Sequence, residues 1–488
     1  VIGDAVEFVL STLNWVILGY FFLVNGVLAA LLVSAAIEMR AHRLNVWREN
    51  RWRVLSSEVT PTISMLAPAY NEARTVSESV RSLLTLRYPS LEIVLINDGS
   101  SDATLEVLKR DFDLVPVHAA PVQRRLEAAP IRGVYRSRRT PALVVVDKEN
   151  GGKADALNVG LDVAGGELVC AIDSDTLVEA DALQRMIRPF LVDDDVLAVG
   201  GTIRAVNGCE VRSGRVIHER APRKPLEAMQ AVEYLRAFIA GRLGWNRLGG
   251  NLVISGAFGL FRREPMIASG GYLHETVGED MEVVVRMRRQ AREEKRGDRV
   301  LFVPDPVAWT EVPSKLKILA RQRDRWHRGL ADVLRRHLKL TFNPRYGALG
   351  LVAFPYFLLV ELLAPVVELV GVIAVVLGLL LGVVNVEFAI LFVILAYGFS
   401  VALTAFTLAL EQWTYRGYGR LGDRLWLLGI SLFEGLGYRQ LTAVWRFKGL
   451  LKYTRGSREW GVMTREGFAG TVSSEEMQTE ERADAPAR

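Results

Sequence analysis

The sequence predicts an α/β domain built on a mostly parallel sheet and joined to transmembrane and interfacial α-helices. Three observations predict it. Short apolar runs alternate with helical stretches between about Pro61 and Arg336. Long, nearly uncharged apolar stretches lie on either side of that region. Half of the 488 residues are hydrophobic and the mean hydropathy is +0.18, unusual for a soluble chain. The net charge of +5 is modest, so composition gives no argument for a nucleic-acid partner. Basic residues cluster instead beside the apolar stretches, as at a cytoplasmic membrane face. Two cysteines, Cys170 and Cys209, make neither a disulfide framework nor a zinc site and are expected to be reduced thiols.

From about Trp15 to Ile37 the chain is long and apolar enough to cross roughly 30 Å of hydrocarbon as a helix. Acidic Asp4 and Glu7 precede it, where a signal peptide carries a basic region. Arg40, Arg43, Arg48, Arg51 and Arg53 follow, which places the N-terminus outside and the next stretch in the cytoplasm. Ile63 to Pro68 reads as a strand, Glu72 to Leu86 as a helix, and Leu91 to Ile96 as a second strand running into Asn97-Asp98-Gly99. Thr104 to Arg110 reads as a helix and Leu143 to Val146 as a strand, followed by Lys148-Glu149-Asn150-Gly151-Gly152-Lys153. Ala154 to Ala164 reads as a helix leading to the strand Val169 to Ile172. The basic, proline-containing piece from Asp113 to Arg139 is read as an insertion or loop.

Leu226, Met229, Val232, Leu235 and Ile239 recur at helical spacing, either in a core-packed helix or in one lying at the membrane interface. The same choice applies to Leu316 through Leu340. Gly347 to Val383 exceeds one span, and Glu361, Pro365 and Glu368 mark a break between two helices. A third runs from about Phe388 to Leu410. A fourth segment, about Leu425 to Val444, is interrupted by Glu434 and Arg439 and either spans or lies flat. Glu361, Glu368 and Glu434 are expected to line a polar path. The loop Glu411 to Arg424 carries three arginines, at odds with an outside location. The tail from about Gly470 is expected to be disordered.

Chemistry-bearing residues gather at strand ends and helix starts. Val169 to Ile172 ends in Asp173-Ser174-Asp175. Two carboxylates there can share a divalent cation, which can grip a diphosphate. Asp98 follows the second strand, where it can hydrogen-bond a base or ribose, or cap a turn. Gly151-Gly152-Lys153 lets backbone approach a ligand and sets a point charge for phosphate, though without Walker spacing. Gly278-Glu279-Asp280 opens a helical run, offering a general base or merely acids that favour a helix start. Gln322-x-x-Arg325-Trp326 sets a guanidinium suited to diphosphate beside an indole suited to a sugar ring.

In that order, Asp98, Asp173-x-Asp175, Glu279-Asp280 and Gln322-x-x-Arg325-Trp326 resemble the membrane-embedded processive family 2 glycosyltransferases. That group includes cellulose, hyaluronan and chitin synthases. The stretches Asp147 to Asn158 and Ile254 to Gly259 resemble the bacterial poly-N-acetylglucosamine synthase branch. The resemblance covers about Pro61 to Trp326 with the flanking helices, and it implies a Rossmann-like domain of the GT-A type. It implies a UDP-sugar donor, UDP-N-acetylglucosamine before UDP-glucose, with Asp98 on the uridine and Lys153 nearby. Asp173 and Asp175 would bind donor and metal, Mg²⁺ or Mn²⁺. Asp280 would deprotonate the acceptor hydroxyl and Glu279 would shape the site. Gln322, Arg325 and Trp326 would bind the donor, Arg325 at the diphosphate, and Trp326 would also floor the acceptor. Ser255, Gly256, Ala257 and Phe258 would lie along the acceptor path.

The implied reaction is a one-step inverting displacement that builds a β-linked polysaccharide. The implied setting is a bacterial plasma-membrane protein that exports this growing polysaccharide acceptor past membrane lipid. The expected organisation is a transmembrane helix over 1–45, a cytoplasmic domain with interfacial helices over 46–340, membrane helices over 341–455, and a tail over 456–488. One clear N-terminal span departs from relatives with two or more, and no appended regulatory domain is expected. A transferase adding one sugar to a lipid carrier is the milder reading, and a catalytically silent nucleotide-sugar-binding scaffold is the third. Whether an envelope export partner takes part stays open.

Overall fold

The computed structural model describes residues 2–48, 60–117, 124–173, 176–212, 214–382, 386–415 and 417–456. Arg51, Arg53, Ser174, Asp175 and the tail beyond 456 lie outside the described residues.

Apolar runs of Val, Ile and Leu build a mixed sheet buried on both faces. Its strands are β1 (Ile63–Ala69), β2 (Leu91–Asp98), β3 (Leu114–Pro116), β4 (Ile131–Ser137), β5 (Leu143–Lys148), β6 (Leu168–Ile172) and β7 (Leu177–Val178). The later ones are β8 (Val196–Ala205), β11 (Phe258–Arg262) and β12 (Arg299–Thr310), while β9 (Glu210–Arg212) and β10 (Arg215–His218) form a separate hairpin. The order across the sheet is β3-β4-β5-β2-β1-β6-β11-β8-β12-β7. Seven of these ten strands point one way, and β4, β7 and β11 oppose them. The mostly parallel α/β class read from the alternating pattern is therefore the class observed.

Alternate residues of each central strand face opposite layers. Met65 and Ile93 pack with Val76, Val80, Leu108 and Phe112 from helices Val76–Leu84 and Thr104–Phe112. Leu66 and Val94 pack with Leu157, Leu161, Val283 and Val284 from helices Lys153–Val163 and Glu279–Glu293. Both layers leave the carboxyl ends of β1, β2 and β6 open. The segment Asp113 to Arg139, read as an insertion or loop, is corrected by the structure. It supplies β3 and β4, which extend the sheet antiparallel beyond β5.

Among the described residues, two helical stretches are long and apolar enough to cross a membrane, Thr12–Leu44 and Ala389–Thr414. Leu349–Leu362 and Ala364–Leu380 form a third, bent by 41° at the break read from Glu361 and Pro365. Leu421–Phe433 and Arg439–Thr454 are separated by non-helical backbone at Leu436 and Gly437. The Pro225–Leu235 helix continues as a π-helix over Arg236–Leu243. It is core-packed: Ala228, Ala231, Val232 and Leu235 are buried with Leu32, Ala35 and Met39 of the N-terminal helix. The arginine-bearing loop after Glu411 lies against the α/β domain. There Arg204 pairs with Glu411, Arg223 reaches Asp423 at 2.6 Å, and Trp426 donates to the Pro222 carbonyl at 2.8 Å. That contact puts the loop on the same side as the α/β domain.

Candidate active site

A cavity of about 620 Å³ opens at the carboxyl ends of the central strands. Asp98, Lys153, Asp173, Ser255, Gly256, Ala257, Glu279, Asp280, Gln322, Arg325 and Trp326 all line it. These residues come from separate stretches of chain, so the fold brings together nearly all of the positions singled out in the sequence.

Asp98 closes β2, and its carboxylate is fully engaged by its own surroundings. One oxygen accepts from Gly151 N at 3.0 Å and from the Lys148 ammonium at 2.5 Å. The other accepts from Gly152 N at 2.8 Å and from the Asn150 amide at 3.3 Å. Lys148 is fully buried and also reaches Asp155 at 2.6 Å. Asp98 thus holds the Gly151-Gly152 loop at the end of β2. Lys148 was not singled out as a site residue, because a lysine at the end of an apolar strand gives no signal that it is buried.

Lys153 opens the next helix and reaches Asp173 at 2.5 Å. Burial opposes its charge, but Asp173, Glu279 and Asp280 together hold its pKa above the ordinary lysine value. Asp173 N also donates to the Ala257 carbonyl at 3.4 Å, which ties β6 to the Ser255–Phe258 turn. Asp175 lies outside the described residues, and no group of three or more metal-ligating side chains is found among the described residues. The Asp173 carboxylate is a hard oxygen donor at the cavity wall, of the kind that suits Mg²⁺ or Mn²⁺.

Gly278 precedes the Glu279–Glu293 helix and touches Gly329 backbone to backbone. A Cβ on Gly278 would meet the Gly329 Cα at 3.0 Å. That close approach sets Glu279 and Asp280 beside the Leu316–Arg336 helix, which carries Gln322, Arg325 and Trp326. Asp280 accepts from Gly256 N at 3.2 Å and from Met281 N at 2.9 Å. Burial, and then the Asp280 charge, push the Glu279 carboxyl above its ordinary value. Trp326 is 43% exposed and carries the Arg323 guanidinium over its ring at 4.6 Å. The Gln322 Oε1 is buried without a hydrogen-bond partner.

Phe258 departs from expectation. Its side chain is fully buried among core residues, so the cavity is lined by Ser255, Gly256 and Ala257 without it. The polar path also needs correction. Glu361 borders the cavity, whereas Glu368 pairs with Arg439 at 2.6 Å and Glu434 with Arg236 at 2.7 Å, outside it. Phe357 borders the cavity beside Glu361, so the bent helix pair forms part of the wall. Sequence reasoning also passed over Arg242, which lines the cavity from the π-helix. A single cation among Phe238, Ile239 and Leu243 was the available signal.

Residues 61–329 match the family model described as glycosyltransferase like family 2, more than half of the chain. The protein belongs to that family. Poly-beta-1,6-N-acetyl-D-glucosamine synthase of Staphylococcus aureus (strain COL) is 29% identical over 293 residues, 60% of this chain and 60% of that protein. The synthase of the same name from Staphylococcus epidermidis matches to the same extent. The chain therefore spans 60% of the length of these relatives. Among solved structures, a mannosyltransferase from Pyrobaculum calidifontis in complex with GDP-Man and Mn²⁺ is 21% identical. It covers 84% of this chain and 99% of that one, with a TM-score of 0.46. Residues 1–349 of S. aureus TarS in complex with UDP-GlcNAc are 16% identical, covering 78% and 92%, with a TM-score of 0.37.

Proposed function

We propose that the protein is a membrane-embedded, inverting glycosyltransferase that polymerises UDP-N-acetylglucosamine into a β-linked polysaccharide and passes it across the membrane. The observation that carries this reading is one continuous cavity. It runs from the strand-end residues Asp98 and Asp173, past Asp280 and Trp326, to Phe357 and Glu361 on the bent membrane helix pair. The similarity to synthases named for poly-N-acetylglucosamine supports the choice of sugar.

In this reading Asp98 and the glycine loop cradle the nucleoside, and Lys153 with Arg325 faces the diphosphate. Asp173 and Asp175 would hold Mg²⁺ or Mn²⁺, which supplies charge neutralisation for the diphosphate. Asp280 takes the proton of an acceptor hydroxyl whose oxygen forms the new bond to the donor's anomeric carbon. The bond from that carbon to the diphosphate breaks, UDP leaves with the electron pair, and the configuration inverts. The raised Glu279 stays out of that proton transfer and shapes the wall beside Asp280. Trp326 offers an exposed ring on which the acceptor sugar stacks. Residues 46–340 form the cytoplasmic transferase domain, between membrane helices within 1–45 and 341–455.

UDP release by the full chain in lipid nanodiscs tests the proposal. UDP-N-acetylglucosamine, UDP-glucose and UDP-glucuronic acid are offered singly with Mg²⁺ or Mn²⁺, and the product is sized. Sustained release with the first donor and a long polymer is expected. A short burst ending in a single-sugar lipid product refutes polymerisation, and no release with any donor refutes the transferase reading.

A further inference from the structure

Trp326 is held in place from outside its own helix. Arg323 and Trp326 stand three residues apart on the Leu316–Arg336 helix, so their side chains share one face. The Arg323 guanidinium lies 4.6 Å from the centre of the Trp326 ring. Arg323 is buried, and both of its terminal nitrogens donate to one carboxylate, that of Glu233: NH1 to Oε1 at 2.7 Å and NH2 to Oε2 at 2.8 Å. Such a forked pair fixes the plane of a guanidinium as well as its position. Glu233 comes from the Pro225–Leu235 helix, and the Tyr438 hydroxyl, beside the start of the Arg439–Thr454 helix, donates to its Oε2 at 2.9 Å. Glu233, Arg323 and Trp326 all line the cavity. A cation seated on one face of an indole leaves the other face for a ligand.

We propose that Glu233 is a positioning residue for the acceptor. It fixes the Arg323 guanidinium against one face of Trp326 and so sets the angle at which the other face meets the acceptor sugar. The role rests on the transferase reading above, in which that ring stacks on the acceptor. A partly exposed indole without such support moves between rotamers, and ordering it costs part of the binding energy of each sugar that stacks on it. Glu233 acts through Arg323 and Trp326 and takes no part in proton transfer.

The test is a double-mutant cycle on the full chain in nanodiscs: wild type, Glu233→Gln, Trp326→Ala and the double variant. UDP affinity is measured by titration. The KM and kcat for a short N-acetylglucosamine oligosaccharide are measured by UDP release. Glu233→Gln keeps the size of the side chain and removes the charge that grips the guanidinium. It is expected to raise the acceptor KM about two- to fivefold while UDP affinity holds, since the cation–π support of the ring is loosened. In the Trp326→Ala background the same substitution is expected to add nothing, because the ring through which it acts is gone. Glu233→Asp keeps the charge on a shorter stem and recovers part of the loss. An acceptor KM that does not move in Glu233→Gln, or UDP affinity that falls in parallel, overturns the proposal. So does a rise that persists in full in the Trp326→Ala background, which a direct contact with the acceptor or a general loosening of the fold would give. If Glu233→Gln does not fold, Glu233→Asp goes through the same cycle and decides by the same criteria. Trp326→Ala with an unmoved acceptor KM removes Trp326 as the acceptor floor, and the Glu233 role with it. A wild-type protein that binds UDP but releases none with any donor and acceptor overturns the transferase reading, and the positioning role falls too. Turnover with a KM that responds to Trp326→Ala and not to Glu233→Gln overturns the Glu233 role alone.

Discussion

At the strand-end wall of the cavity, Asp98 receives four donors on its two oxygens, and buried Lys148 is shared between Asp98 and Asp155. At the opposite wall, the Gln322 Oε1 and the Arg242 NH1 are buried without partners, and Trp326 stands half open. One wall satisfies its own polar groups and is rigid before any substrate arrives. The other presents a half-open aromatic ring to the cavity. The difference matches what each wall must hold. Under the proposed function, the nucleotide is the same in every cycle, whereas a growing chain would have to be held and then let through.

Breaking the rigid wall has the largest expected effect. Lys148→Met strands Asp98 and Asp155 as buried carboxylates and lowers stability by about 3–5 kcal/mol. A thermal midpoint equal to wild type would show that these ion pairs do not hold the wall. Gly99→Ala comes next. Gly99 has φ +65°, and its Cβ would lie 2.5 Å from Asn150 N. A loss of about 1–3 kcal/mol and weaker UDP binding are expected. On the open wall, Trp326→Ala is expected to raise the acceptor KM about two- to tenfold. Its thermal midpoint should hardly move, because the ring is partly exposed. A fall in stability instead would reassign Trp326 to the core.

The smallest effect is electrostatic. The Glu279 carboxyl is raised by burial and Asp280, so its protonated form is the one the fold favours. Its contribution to stability is full below the ordinary value of 4.5 and is lost as pH rises through the higher folded value. Glu279→Gln should therefore gain in thermal midpoint over wild type as pH is raised from 4.5 toward neutrality. A gap that stays flat across that range would mean that Glu279 is not raised.

Much of this was legible in the sequence because the central strands obey simple rules. β1, β2, β5 and β6 are short, mostly apolar runs, and each was read within two residues of its true end. The sheet beyond β6 was not read, for physical reasons. β8 carries Gly200 and Gly201 mid-strand, where a Cβ would strike the Phe302 ring and the Val307 side chain at 2.3 Å. β12 carries Pro304 and Pro306, which sit at irregularities in its register with β8. Glycine and proline argue against a strand until the partner that excludes or tolerates them is known. The site residues with motif spacing were found, whereas Lys148 and Arg242 were missed. Their placement depends on burial and on a π-helical turn, neither of which leaves a periodic trace.

UDP affinity and UDP release, measured side by side on the Asp280→Asn variant of the full chain, test the division of labour most directly. Release is expected to fall about 10²- to 10⁴-fold while UDP affinity stays at the wild-type value, because in the proposed function Asp280 acts on the acceptor and the Asp98-bound glycine loop cradles the nucleoside. Wild-type turnover in that variant would contradict Asp280 as the base. Loss of UDP affinity would contradict the separation of the two walls.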